Sequence, residues 1–268
     1  MAGAAAKASS EANQSTQSCN KCVKVLRDLI SGIQKDGKES RPLTLLKAIG
    51  GGNSDKVKIE PIDDGVKMTL PVRTTVPTLL RPWSSLIQQQ EEQKRMNEGG
   101  EVFSHTLATS ANATTSSNTN EDEDPLTIEL KCRKCASSGP EGGARAFLMG
   151  PSPLSVVVCH NRIQSDEEEI QEILTHELTH LYDVQTLRMD LQQCENLAYS
   201  EVRAAKHAEC RDSWKQLQKY CVKQKAICAT NNLFPSEGRK CIQKVFDKAF
   251  EDNRPFEAST SHNRNATR

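Results

Sequence analysis

Between Ser165 and Asp183 the apolar positions Ile170, Ile173, Leu174, Leu178 and Leu181 recur every three or four residues, the period of a helix with one buried face. Ser165 and Glu168 form a capping box at its start, and Asp166, Glu167 and Glu168 occupy the first turn, where the helix dipole favours acids. Helical spacing also runs through Cys19 to about Ile33, where Cys22, Val23, Leu26, Leu29, Ile30 and Ile33 face away from Lys24, Arg27 and Asp28. Further helices are predicted at roughly 191–207, 211–230 and 238–250. Period-two alternation in Thr127–Cys132 predicts a strand; Arg145–Met149, after Gly142-Gly143, predicts a second. The β-branched run Ser155–Cys159 predicts a third, expected at a sheet edge. Strands followed by helices give an α+β domain.

Elsewhere the periodicity fails. Residues 1–18 are small and polar and are expected to be disordered, as is the tail at 258–268. An amphipathic helical segment covers 19–49, and the folded domain covers 126–257. Between them, 50–125 reads as a low-complexity linker insertion. Its prolines interrupt any long element, although Val66–Leu70 could form a short strand stopped by Pro71. Residues 97–124, rich in Ser, Thr, Asn and Glu, are expected to be dispensable for folding. Hydrophobic residues make up 36% of the 268 and aromatics 4%, which fits a core confined to part of the chain.

Lys+Arg and Asp+Glu balance at 35 each, so net charge directs the chain to no nucleic acid. No apolar run reaches the 18 residues of a membrane span, and residues 1–10 lack the apolar stretch of a secretory signal. Ten cysteines then pose a question of compartment, since disulfides need an oxidising one. The pairs Cys19/Cys22 and Cys132/Cys135 could in principle form a split zinc site, although their separation is far outside ordinary zinc-ribbon spacing; in an oxidising compartment disulfides are favoured.

The chemistry lies in His176-Glu177-Leu178-Thr179-His180. At about 100° per residue, two histidines four apart stack on one face, one turn above the other. Both can direct a ring nitrogen at one tetrahedral Zn²⁺, while Glu177 stands beside the metal, placed to act as general base. Such a pentapeptide arises by chance in about 1% of chains of this composition, and its place inside a capped helix lowers that risk. Two structural histidines one turn apart are the plain alternative. A catalytic zinc takes a third protein ligand. Glu201, on the next predicted helix, is preferred; Asp183, one turn beyond His180, is the rival, although a short acid there more often supports a ligand than serves as one.

Several ordered segments carry a resemblance. Thr175–Asp183, Cys194-Glu-Asn-Leu-Ala198 and Ser200-Glu-Val-Arg-Ala-Ala205 are joined by the Cys132/Cys135 pair, Cys159-His-Asn-Arg-Ile163 and Asp252-Asn-Arg-Pro-Phe256. Together they resemble the ATP synthase-processing zinc metallopeptidase family of the mitochondrial inner membrane, over roughly 126–257 with a weaker match at Cys19–Ile33. The resemblance implies a zincin-like fold with an HExxH active-site helix. It implies His176 and His180 as zinc ligands and Glu177 as the catalytic residue. It also implies a peripheral protein on the intermembrane-space side of that membrane. The implied client is a membrane subunit of the ATP synthase proton channel, either matured by cleavage or assisted in assembly without it. A soluble metallopeptidase of another compartment is the remaining alternative. The sequence departs from the family in its 50–125 stretch and in Lys206-His-Ala-Glu-Cys210, where a Ser-Gly-Asp-Cys ending is expected.

Overall fold

The computed structural model describes residues 2–31, 39–51, 57–73, 125–137, 143–150, 153–164 and 166–256. Among them lie six α-helices and one five-stranded sheet. In chain order these are α1 (Ala2–Ser31), α2 (Arg41–Ile49), β1 (Lys58–Ile62), β2 (Gly65–Arg73), β3 (Pro125–Arg133), β4 (Ala146–Met149), β5 (Leu154–Cys159), α3 (Glu167–Gln185), α4 (Cys194–His207), α5 (Lys215–Leu233) and α6 (Gly238–Glu251). The fold is mixed α+β, with two helices ahead of the sheet and four after it.

The strands run in the order β1-β2-β3-β5-β4. β3 and β5 pair in parallel and the other neighbours are antiparallel. β3 alternates: Leu126, Ile128, Leu130 and Cys132 point into the core while their neighbours stay partly exposed. β5 does not alternate; all six of its residues are buried. It lies between β3 and β4, so the expectation of an edge strand at Val156–Val158 is corrected. A continuous apolar run is the pattern of a strand covered on both faces and paired on both sides. The edge belongs to β4.

A second correction concerns residues 58–73. The short strand expected at Val66–Leu70 is present within β2, but rather than standing in a linker insertion it pairs with β1 in a hairpin and extends the sheet beyond β3. Asp63-Asp64 turns the chain into Gly65, whose backbone lies so close to β3 that a Cβ there would run into the Leu130 carbonyl oxygen. β2 continues through Pro71 to Arg73, with a register shift after Leu70 that accommodates the proline. The helix at the N-terminus is also longer than its amphipathic stretch, starting at Ala2 where disorder was expected. Residues 97–124 and the 258–268 tail lie outside the described residues.

One face of the sheet supplies Met68, Ile128, Leu130, Val156 and Val158 to the main core, and α1 covers it with Leu26, Leu29 and Ile30. α3 closes the same core with Ile170, Leu174, Leu178 and Leu181. A second core lies among α4, α5 and α6, built from Ala198, Val202, Val222, Ala226, Ile242 and Phe246. α4 belongs to both, since Leu197 points into the first and Ala198 and Val202 into the second.

Eight of the ten cysteines are paired. Cys22–Cys132 fastens α1 to β3, and Cys135–Cys159 fastens the turn after β3 to the end of β5. Cys194–Cys241 ties α4 to α6, and Cys210–Cys221 ties the turn after α4 to α5. Cys19 and Cys228 are free thiols.

Candidate metal centre

The helix that carries His176, Glu177 and His180 begins at Glu167, with Asp166 as its N-cap: the Asp166 carboxylate accepts from the Glu169 backbone N–H at 2.7 Å. Ser165, the expected cap, lies outside the described residues. α3 turns two histidines toward α4, as the i, i+4 spacing requires. Their Nε2 atoms stand 3.1 Å apart. Glu201 of α4 meets them, one carboxylate oxygen 3.6 Å from His176 Nε2 and the other 3.6 Å from His180 Nε2.

The far nitrogen of each ring is held by a separate acceptor. His176 Nδ1 lies 3.1 Å from Glu209 Oε2 and donates to it, because a carboxylate only accepts. His180 Nδ1 lies 2.7 Å from Ser200 Oγ, and the Ser200 hydroxyl donates to Asp183 Oδ2 at 2.7 Å. The serine hydrogen is thus committed to Asp183, so its oxygen accepts from His180. With each Nδ1 hydrogen held by an acceptor, Nε2 is the nitrogen that each ring turns toward the shared point.

Asp183, the rival third ligand, is placed elsewhere. It is fully buried against the fully buried Arg203 and holds Ser200. Arg203 also hydrogen-bonds the Arg254 carbonyl, lies 3.6 Å from Asp252 and stacks over Tyr182. Asp252 in turn accepts from the Tyr199 hydroxyl at 3.0 Å and from Arg254, so the Asp252–Phe256 closure seals the buried guanidinium.

The cluster calls for a positive charge. His176, His180 and Glu201 offer donor atoms all within 4.8 Å of one another, and one Glu201 oxygen is buried without a hydrogen-bond partner. Burial first, and then the Glu177 and Glu209 carboxylates, push the Glu201 carboxyl up to about 7 against the pull of His176. Burial raises Glu177 as well. For His176 burial works downward, but the Glu209 carboxylate overrides it and carries the ring to about 10. His180 is pushed well down, by burial first and by His176 second. A tetrahedral cation with bonds of about 2.1 Å needs donor–donor edges of roughly 3.4 Å. The 3.1 Å between the two Nε2 atoms and the 3.6 Å from each Nε2 to its own nearer Glu201 oxygen lie on either side of that value. The donor set fits a metal.

A cavity of about 130 Å³ opens on His176 and Glu177, walled by Arg145, Ala146, Glu172, Ile173 and Glu209. Ala146 is the first residue of the edge strand β4, and Arg145 is fixed by Glu172 at 2.8 Å and Glu169 at 3.5 Å. Glu177, Arg145 and the edge of the sheet therefore border one opening. Of these partners, Glu209 and Ser200 carry no mark of their function in the sequence. Glu209 sits in an irregular turn after α4, and only the fold brings it to His176.

The sequence model of the Peptidase M76 family matches residues 99–257. The chain is 30% identical over 118 residues to the mitochondrial inner membrane protease ATP23 of Candida albicans, covering 38% of this chain and 49% of that one. It is 32% identical over 134 residues to the protein of that name from Debaryomyces hansenii, covering 44% and 51%. It is 30% identical over 141 residues to the human mitochondrial inner membrane protease ATP23 homolog, covering 47% and 54%. The chain thus spans about half the length of the curated relatives it matches. No solved structure matches it. With the family's model running through the edge strand, the histidine helix, Glu201 and the Asp252–Phe256 closure, the chain belongs to the peptidase M76 family.

Proposed function

We propose that this protein is a zinc-dependent endopeptidase of zincin-like architecture, with His176, His180 and Glu201 as metal ligands and Glu177 as general base. The observation that carries the reading is the convergence of two imidazole Nε2 atoms and one buried carboxylate at 3.1, 3.6 and 3.6 Å. Two nitrogens and one carboxylate are the donor set of a catalytic zinc site that keeps its fourth position open. When bound, the ion supplies Lewis acidity, polarising the scissile carbonyl and acidifying water.

The remaining work falls to the protein. Glu177, raised by burial, takes a proton from the attacking water and returns it to the leaving nitrogen. Glu209 and the Ser200–Asp183 pair keep the two rings oriented, with Nε2 of each directed at the metal position. Substrate enters along β4, whose outer edge has no neighbour among the described strands, and an extended peptide pairing there passes Arg145 and Ala146 into the opening beside Glu177.

The printed names of the relatives place them at the mitochondrial inner membrane. No described helix is long and apolar enough to cross a membrane, which agrees with peripheral association. Four disulfides agree with the intermembrane-space side, where thiols can be oxidised. The substrate that fits this setting is a membrane subunit of the ATP synthase proton channel. Glu177→Gln tests the reading: zinc content is expected to be retained and cleavage lost. ATP synthase assembly is scored separately, to divide proteolysis from a chaperone role. Normal cleavage by Glu177→Gln, or by protein stripped of metal, overturns it.

A further inference from the structure

Five large hydrophobic side chains stand out as exposed among the described residues, and three of them fall within seven consecutive positions. Trp214 is 80% exposed, Leu217 57% and Tyr220 67%. Trp214 caps α5, and the three recur at i, i+3 and i+6, an arc of about 120° on one side of the helix. The opposite side carries Val222, Ala226 and Leu233 into the protein, so the exposed arc is no misplaced core stripe. The charge on α5 is equally one-sided: Lys215, Lys219, Lys223 and Lys225 appear in it with no acid, in a chain whose formal net charge is zero. Lys219 and Lys223 lie over the Phe250 and Phe246 rings of α6; Lys215 is exposed at the helix start, and Lys225 is exposed about 20° round the helix from Trp214, about three turns further on.

We infer that Trp214, Leu217 and Tyr220, on the acid-free, lysine-bearing helix α5 with Lys225 toward their rim, form the surface by which this protein docks on an anionic phospholipid bilayer. Tryptophan and tyrosine, apolar in body and polar at one edge, favour the headgroup boundary. Exposed lysines beside them match an anionic surface, each contributing attraction that salt screens. The position suits the chemistry. Arg211 and Asp212, two to three residues before Trp214, wall a second cavity of about 330 Å³. That cavity shares Glu172 and Glu209 with the opening at His176 and Glu177. Cys210–Cys221 and the 3.2 Å hydrogen bond from Gln218 Nε2 to the Cys210 carbonyl lock the start of α5 to the turn that bears Glu209. A bilayer seated on α5 holds this groove at headgroup level, where a membrane substrate offers its exposed segments. This last step rests on the proposed peptidase function; the docking itself does not.

The test uses the full chain with vesicles of phosphatidylcholine alone and of phosphatidylcholine with about one-fifth cardiolipin. Co-flotation is expected with the anionic vesicles, falling as salt rises. The Trp214→Ala/Leu217→Ala/Tyr220→Ala variant is expected to lower the bound fraction at least about tenfold, and Lys215→Glu/Lys225→Glu to lower it as well. In a Trp83→Phe background, Trp214 emission is expected to shift to the blue on binding. All three patch residues are exposed, so an unchanged unfolding midpoint serves as the check on folding. No binding to the anionic vesicles, unchanged binding by the triple variant, or sedimentation showing that the patch instead joins two copies of the chain each overturns the inference. Zinc content and cleavage of a soluble peptide are read on the same samples: a chain that docks without cleaving fails only as a peptidase, and one that cleaves without docking fails only here.

Discussion

Asparagine at position 183 separates a metal ligand from a residue that supports one. The Asp183 side chain is fully buried, as is that of its partner Arg203. Removing one charge of such a pair strands the other, at a cost of about 3–5 kcal/mol. At about 2–4 °C per kcal/mol for a domain of this size, the melting temperature is expected to fall by about 6–20 °C. The metal is expected to stay. Asparagine still offers Ser200 an acceptor oxygen, so His180 keeps its orientation, and affinity drops by about 10–100-fold as for other outer partners of metal-bound histidines. Glu201→Gln is expected to behave in the opposite way. It abolishes tight zinc binding yet leaves the metal-free protein at least as stable, because a buried carboxylate with an unpartnered oxygen is replaced by a neutral group. Thermal melts with and without chelator, together with competitive zinc titration, give both quantities for both variants. If Asp183→Asn loses zinc as completely as Glu201→Gln while its metal-free midpoint is unmoved, Asp183 is the ligand and the assignment fails.

The other expectations are as follows. His207 is buried against Phe256 and near Arg41, and burial, followed by the positive charges of Lys206 and Arg41, lowers it to about 3. The unfolded chain therefore binds a proton that the fold refuses between about pH 6.5 and 3, so stability falls with pH there by up to about 1.4 kcal/mol per unit; His207→Gln should flatten the acid limb of the stability curve, and parallel curves contradict this. Thiol labelling under denaturing, non-reducing conditions should find two free sulfhydryls per chain, Cys19 and Cys228; ten would show the fold standing without disulfides. Gly65→Ala should destabilise by at least about 1–3 kcal/mol, since its Cβ meets the Leu130 carbonyl; an unchanged denaturation midpoint would detach the hairpin from the fold.

The histidine helix was legible because three signals coincide in it: an apolar stripe, acids in the first turn and the i, i+4 histidines. Glu201 was reachable from its place on a neighbouring helix among small residues. Glu209 was not, because a turn has no period and its role exists only through contact with His176. The β1–β2 hairpin was obscured by Pro61 and Pro71, which demote a strand in sequence but are tolerated here, one on the outermost strand and one at a register shift. β5 was found as a strand yet placed at the wrong position, since an all-apolar run marks burial on both faces, which suits an interior strand. The lengths of α4, α5 and α6 followed from periodicity to within a few residues, with the larger shifts at the starts of α4 and α5, where Gln193 and Trp214 cap without a side-chain hydrogen bond.

No disulfide crosses between the two cores. Cys22–Cys132 and Cys135–Cys159 lie wholly on the sheet side, and Cys194–Cys241 and Cys210–Cys221 wholly on the helical side. What joins α3 to α4 is noncovalent: Leu197 in the first core, and the polar set of the Asp183–Arg203 pair, the Ser200 bridge and the carboxylate of Glu201 against two imidazoles. This gives assembly an order. Each half can be oxidised as its own unit, in either sequence, without fixing the other. The polar seam is then the joint left to close, and an ion held by His176, His180 and Glu201, the ligand set proposed above, would rivet it. A chain with all four crosslinks formed but starved of metal would then be a finished pair of halves with a loose joint, and resistance to proteolysis at the 186–193 connection would report on whether the ion had arrived.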